Sequence, residues 1–180
     1  MRHFPSLLCV LAILVFMIGC QEPQPCATVE QAPETYSETE AAKAEPIVID
    51  NTNKAFKTEG TWYDAWTGKD HKGGLLWCYA DTTASAKAIW TPDIKVAGNY
   101  EVFMWHGDDP NYDHANNAQI TINYSGGSKT VTVDQQKNIG KWNSLGTYKF
   151  AKGTKGNIVL NNKANGNVVA DAVKLVCKGK

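Results

Sequence analysis

Residues 118–134 read AQITINYSGGSKTVTVD, and their alternation sets the fold class. Ile120, Ile122 and Tyr124 fall on one side of an extended strand, while Gln119, Thr121 and Asn123 fall on the other. Val131 and Val133 alternate with Thr130 and Thr132 in the same way. Side chains of a strand point to opposite faces with a period of two, so each run builds one apolar and one polar face. The intervening SGG supplies glycine where a tight loop needs positive φ, which predicts a hairpin.

Working outward, the same grammar repeats. PIVID, LLWCYA, AKAIWT, NYEVFMWH, KWNSLGTYKF, NIVLN and NVVADAVKLVC are short apolar runs separated by turn signals such as Gly73-Gly74, Pro92 and Asn165-Gly166-Asn167. No stretch sustains apolar residues at helical spacing for three turns. About nine strands with one apolar face each predict an all-β fold, a jelly-roll-like β-sandwich of two antiparallel sheets, with an immunoglobulin-type order as the alternative. Trp142, Tyr148 and Phe150 share one phase of their strand, Leu145 is out of phase, and Gly146 stands where a bulge would reconcile them. Trp142 is read as core on that phase, as are Trp77 and Trp90. Asp171, inside an apolar run, is read as a hydrogen-bonded structural acid.

The sandwich is assigned to residues 46–180. Residues 1–19 carry Arg2 and an apolar run from Leu7 to Ile18, too short to span a bilayer, which describes a signal peptide. Gly19-Cys20 looks like a bacterial lipobox, with Cys20 as the lipidated residue; an ordinary cleaved signal or an uncleaved anchor is the alternative. Gln21 rather than Asp follows the cysteine; if the envelope is Gram-negative, resemblance to sorted lipoproteins implies the outer membrane or cell surface. Residues 20–45 hold six Glu against one Lys, with three Pro. That composition buries too little apolar surface to order itself and predicts a disordered acidic tether.

Residues 46–180 carry 16 Lys against 12 Asp and Glu, a formal charge of +4, and the only Arg of the chain is Arg2. A mild, dispersed charge without guanidinium forks argues against a nucleic-acid partner. Cys78 and Cys177 form a disulfide joining an early strand to the last one, or stay two separate buried thiols.

Seven ordered stretches resemble the golvesin-type domain: IVIDN (47–51), SAKAIWTP (85–92), AGNYEVFMWH (97–106), ANNAQITI (115–122), TVTVDQQ (130–136), GKWNSLGTYKF (140–150) and GNVVADAVKL (166–175). This family is similar to the carbohydrate-binding-like C-terminal domain of xanthan lyase. The resemblance implies a non-catalytic β-sandwich module that binds polysaccharide. In place of the Trp-Tyr-Pro common among relatives, this chain has Trp105-His106-Gly107 followed by DDPNYDH.

Sugars are held by aromatic faces against their C–H surfaces and by planar polar groups on their hydroxyls. Two loops supply both. GTWYDAWTGKDHKGG (60–74) offers Tyr63, Trp66 and His71, and GDDPNYDHANN (107–117) offers Asp108, Tyr112 and His114. These six are the predicted carbohydrate contacts. Asp108, Asp109 and Asp113 have oxygens suited to calcium, and His106 with His114 to a transition metal, but the spacing fits no metal loop, so no metal or other cofactor is assigned. Catalytic signatures such as G-x-S-x-G and H-E-x-x-H are absent from the sequence, which reads as a non-enzyme. The expected partner is a polysaccharide; a structural or protein-interaction module of the envelope is the alternative, and a lone hydrolase or lyase the third reading.

Overall fold

The computed structural model describes residues 44–108, 110–111 and 113–179. The expected signal peptide, Cys20, the expected tether as far as residue 43, Asp109 and Tyr112 lie outside these residues. Twelve strands run through the described residues: β1 (Ile47–Asp50), β2 (Phe56–Glu59), β3 (Tyr63–Ala65), β4 (Leu75–Cys78), β5 (Lys87–Trp90), β6 (Gly98–Trp105), β7 (Ala118–Tyr124), β8 (Gly127–Val133), β9 (Trp142–Phe150), β10 (Asn157–Asn161), β11 (Val168–Ala170) and β12 (Ala172–Gly179). All strand pairings are antiparallel.

Sheet A has the order β1-β12-β6-β9 and sheet B the order β2-β5-β10-β7-β8. Inward residues of both, including Val102, Met104 and Leu175 from A and Trp90, Ile120 and Leu160 from B, share one buried cluster. Burying each such side chain stabilises the domain by about 1.5–3 kcal/mol relative to exposure, so this layer carries most of the fold. The β7–β8 hairpin pairs Tyr124 with Gly127 at its loop, as the SGG signal requires. The expected sandwich is therefore present.

One feature differs from the two-sheet expectation. Strands β11, β4 and β3 form a third small sheet, C. The run NVVADAVKLVC reads as one strand, yet it divides at Asp171: β11 pairs with β4, while β12 pairs with β1 and β6. Asp171 is fully buried at this switch between sheets, and its carbonyl accepts the Trp90 indole N–H at 3.3 Å.

The bulge in β9 is where the glycine predicted it. Val102 pairs with Gly146 and Phe103 with Ser144, so Leu145 has no partner opposite and turns into the core at 6 % exposure. The extra residue inverts the phase beyond it. Phe150 is buried, but Trp142 lands on the outer face of sheet A, half-buried beside Trp105 and under the Lys174 ammonium, 4.5 Å from its ring centroid. The reading of Trp142 as core is corrected: its numerical phase with Phe150 ran through the bulge. Trp77 and Trp90 are buried as expected. Gly146 adopts φ +111°, and an added Cβ would stand 3.1 Å from the Tyr148 hydroxyl. Gly146→Ala should cost about 1–3 kcal/mol in urea unfolding, from backbone strain and that contact; unchanged stability would mean the bulge relaxes freely.

The two thiols stand free. Cys78 is on sheet C, hydrogen-bonded to the Tyr79 carbonyl, and Cys177 is on sheet A beside Gly98. The disulfide alternative is thus corrected in favour of two separate thiols. Burial pushes the Cys78 thiol up, away from reactive thiolate.

Candidate functional site

Sheet C builds an aromatic corner. Register places Tyr63 of β3 opposite Trp77 of β4, and strand alternation puts Tyr79, two residues on, to the same side. Trp77 is 8 % exposed and forms a small second core with Ala65, Leu75 and Val169. Tyr63 and Tyr79 are 43 % and 58 % exposed. The Tyr63 ring lies 5.0 Å from Trp77 at an interplanar angle of 31°, while the Tyr79 ring stands at 74° to Tyr63 and 78° to Trp77. Trp77 is the buttress, and the two tyrosines face solvent.

Beside them is a cleft of about 260 Å³, whose lining includes Thr61, Tyr63, Tyr79, Asp81, Ser85 and Asn162. Its polar parts are held by local bonds. Asp81 accepts the Thr83 amide and hydroxyl, each at 2.7 Å, and the Ser85 hydroxyl. The Ser85 and Thr83 donors hold its carboxyl below the usual carboxylate range. Asn162, 2 % exposed, accepts the Ala86 amide at 3.0 Å and donates to the Tyr79 carbonyl at 3.1 Å. The cleft thus combines two aromatic walls with a fixed carboxylate and hydroxyls, the chemistry a sugar ring requires.

Trp66 follows β3 and is 73 % exposed. Its indole N–H donates to the Gly73 carbonyl at 2.9 Å, and the ring lies so close to Gly74 that a Cβ there would be 2.7 Å from Nε1. The Gly73-Gly74 pair is therefore what lets the indole rest on the backbone. Trp66 does not plug the sandwich; it is displayed.

The loop that displays it is pinned to the body at several points. The Lys69 carbonyl accepts the Trp105 indole at 2.9 Å, and His71 packs edge-on against Trp105 and Trp142. His71 Nδ1 is 2.9 Å from Asp50, and the His71 amide donates to Asp171 at 2.9 Å. The half-buried tryptophans of sheet A thus serve as the seat of this loop. Asp171 keeps one oxygen without a partner; burial, with Asp50 and Asp70 nearby, pushes its carboxyl up to about 8 against the opposing His71 bond. It is the structural acid that the sequence suggested, held protonated at neutral pH.

The second loop is joined to the first. Asp108 bonds His114 Nε2 at 2.8 Å and Lys69 at 3.1 Å, and its amide donates to the Thr67 hydroxyl at 3.3 Å. Burial raises the Asp108 carboxyl, but His114 and Lys69 outweigh it and hold it below the usual range. His106 is fully buried, and burial beside His114 pushes it down to about 4, so it is neutral. Among the described residues no three His, Cys, Asp or Glu converge to hold a metal ion.

Of the six predicted contacts, Tyr63 lines the cleft and Trp66 is displayed on its loop. His71, Asp108 and His114 are engaged in holding the two loops, and Tyr112 lies outside the described residues. Sequence reasoning missed Tyr79, Asp81 and Ser85. Their signal was legible: Tyr79 shares the phase of Trp77, and one residue beyond it DTTAS (81–85) begins, so it stands at a strand's end just before an Asx turn.

The golvesin C-terminal domain matches residues 47–177. The chain belongs to this family. The chain is 34 % identical over 140 residues to xanthan lyase of Bacillus sp. (strain GL1), covering 74 % of this chain but 15 % of that enzyme. The solved structure of Paenibacillus xanthan lyase superposes with a TM-score of 0.68 at 33 % identity, over 73 % of this chain and 13 % of that one. The chain therefore spans about a seventh of these relatives. A GH26-CBM35 β-(1,4)-mannanase of Podospora anserina gives a TM-score of 0.54 at 14 % identity, over 75 % of this chain and 28 % of that one. A family 35 carbohydrate-binding module from Clostridium thermocellum gives 0.50 at 12 %, over 72 % of this chain and 98 % of the module. At such identities these two establish a shared sandwich fold.

Proposed function

We propose that this protein is a non-catalytic polysaccharide-binding lipoprotein, with the cleft beside Tyr63 and Tyr79 as its principal glycan contact and Trp66 as an outlying platform. The carrying observation is the aromatic corner: two solvent-facing phenol rings, braced by Trp77, over a cleft edged with a carboxylate and hydroxyls. The likeness of the fold to carbohydrate-binding modules supports the same reading. Among the described residues, the two acids that meet around His71, Asp50 and Asp171, are 4 % and 0 % exposed and so out of a polymer's reach.

Affinity electrophoresis in gels carrying xanthan, β-mannan, β-1,3-galactan or β-1,3-glucan tests the binding reading. The full-length protein should be retarded by at least one polymer and by none of the others as strongly; equal mobility in every gel would refute it. Anchoring is a separate part of the proposal, resting on Gly19-Cys20 and the acidic segment behind it. In cells, Cys20→Ser should move the protein from the membrane fraction to the soluble one or block its maturation. Unchanged partition and processing would dispose of the lipid anchor while leaving glycan binding intact.

A further inference from the structure

We propose that the cleft takes the terminal sugar residue of a chain or branch, and not an internal stretch of polymer. This rests on the polysaccharide-binding reading and specifies its mode. A site that follows a chain needs two open ends and ring faces laid along one direction, so that successive sugars find successive platforms. The ring faces of this cleft are not laid along one direction.

Its aromatic walls form a corner. Tyr79 stands at 74° to Tyr63, so one flat sugar face against either ring turns its edge to the other. Two sugars in line would meet only one of them face-on. Backbone also comes together in the lining of the cleft. Gly60, at φ +77°, approaches the Ser85–Ala86 segment so closely that a Cβ on it would be 2.7 Å from the Ser85 carbonyl and 2.8 Å from Ala86. Two segments that line the cleft are therefore in contact there, and glycine is the residue that lets them approach.

The space also suits one ring: about 260 Å³ lies below the usual range of roughly 300–1,000 Å³ for small-molecule pockets. The polar groups tell the same story. The Asn162 amide is consumed by Ala86 and Tyr79. The Tyr63, Tyr79 and Thr61 hydroxyls carry no hydrogen bond to a described residue. These free hydroxyls, with the remaining lone pairs of the fixed Asp81 carboxylate, match the dense hydroxyl set of a terminal residue, which keeps the one that a glycosidic bond removes from an internal residue.

The test is competition for retention of the full-length protein. The probes are the methyl glycosides of glucose, galactose, mannose, xylose and glucuronic acid, set against a hexasaccharide cut from whichever polymer retains the protein. End-on recognition predicts that one methyl glycoside releases the protein at a molar concentration within about threefold of the hexasaccharide, because further units add no contact. Tyr79→Ala should raise the concentration of this glycoside needed for release by about tenfold. Two outcomes overturn the proposal. If the hexasaccharide competes about tenfold or more better than every methyl glycoside, the cleft reads several units and binding of polysaccharide stands. If no polymer retains the protein, the polysaccharide reading falls and this mode falls with it.

Discussion

Asp171→Asn is expected to stabilise the protein at pH 7 and above, with the advantage fading to nothing near pH 4. Asp171 is fully buried, and burial raises its carboxyl to about 8. In the unfolded chain the same group titrates near its ordinary value of about 4. Between those values the folded state holds a proton that the unfolded state has lost, so stability falls as pH rises through this window. The loss is on the order of 4 kcal/mol by pH 7 and levels off above pH 8. Asparagine keeps an oxygen for the His71 amide and cannot ionise.

His106 has the opposite sign. Burial depresses it to about 4, so the unfolded state gains a proton first as pH falls below about 6.5, and stability drops toward pH 4. In the native protein the two slopes oppose each other from pH 4 to 6.5, giving a near-flat profile there and a decline from 6.5 to 8. Asp171→Asn removes one slope and exposes the other. Urea unfolding of both proteins across pH 4–9 checks this; a variant no more stable than wild type at pH 8 would show that Asp171 ionises freely in the fold.

The second large effect is on binding. Tyr79→Ala and Tyr63→Ala should each weaken glycan affinity by about tenfold, the loss of one stacked face, while thermal stability changes little because both rings are mainly solvent-facing. Because the rings touch each other at 5.8 Å, the double variant should lose less than the product of the single effects. Trp66→Ala should also leave stability nearly unchanged, since the indole is 73 % exposed, and weaken only binding to long polymer. Isothermal titration with polymer and with its hexasaccharide separates these. A Trp66→Ala protein that unfolds would mean that its bond to Gly73 locks the loop.

Sheets A and B were legible because a period of two survives in every strand with one buried face, as in Ile120 and Ile122. Three features escaped. Strands β2 and β3, four and three residues long, are too short to show a period. The break at Asp171 is invisible because both halves are apolar and only the pairing partner changes. Trp142 was misplaced because a bulge shifts phase without changing sequence spacing. At the site, exposed aromatics in glycine-rich loops were a sound signal for Tyr63 and Trp66. The polar residues His71, Asp108 and His114 were indistinguishable in sequence from ligand contacts, since a buried loop-holding network uses the same side chains.

The central claim is most directly tested by titrating the ¹⁵N-labelled protein with an oligosaccharide from a retaining polymer and mapping the amide shifts. The account predicts saturable changes concentrated at Gly60–Tyr63 and Cys78–Ala86, with Tyr79→Ala moving their midpoint to about tenfold higher concentration. Shifts confined to the outer face of sheet A, around Phe103 and Lys174, or no saturable shift at all, would contradict it and direct the search to a protein partner.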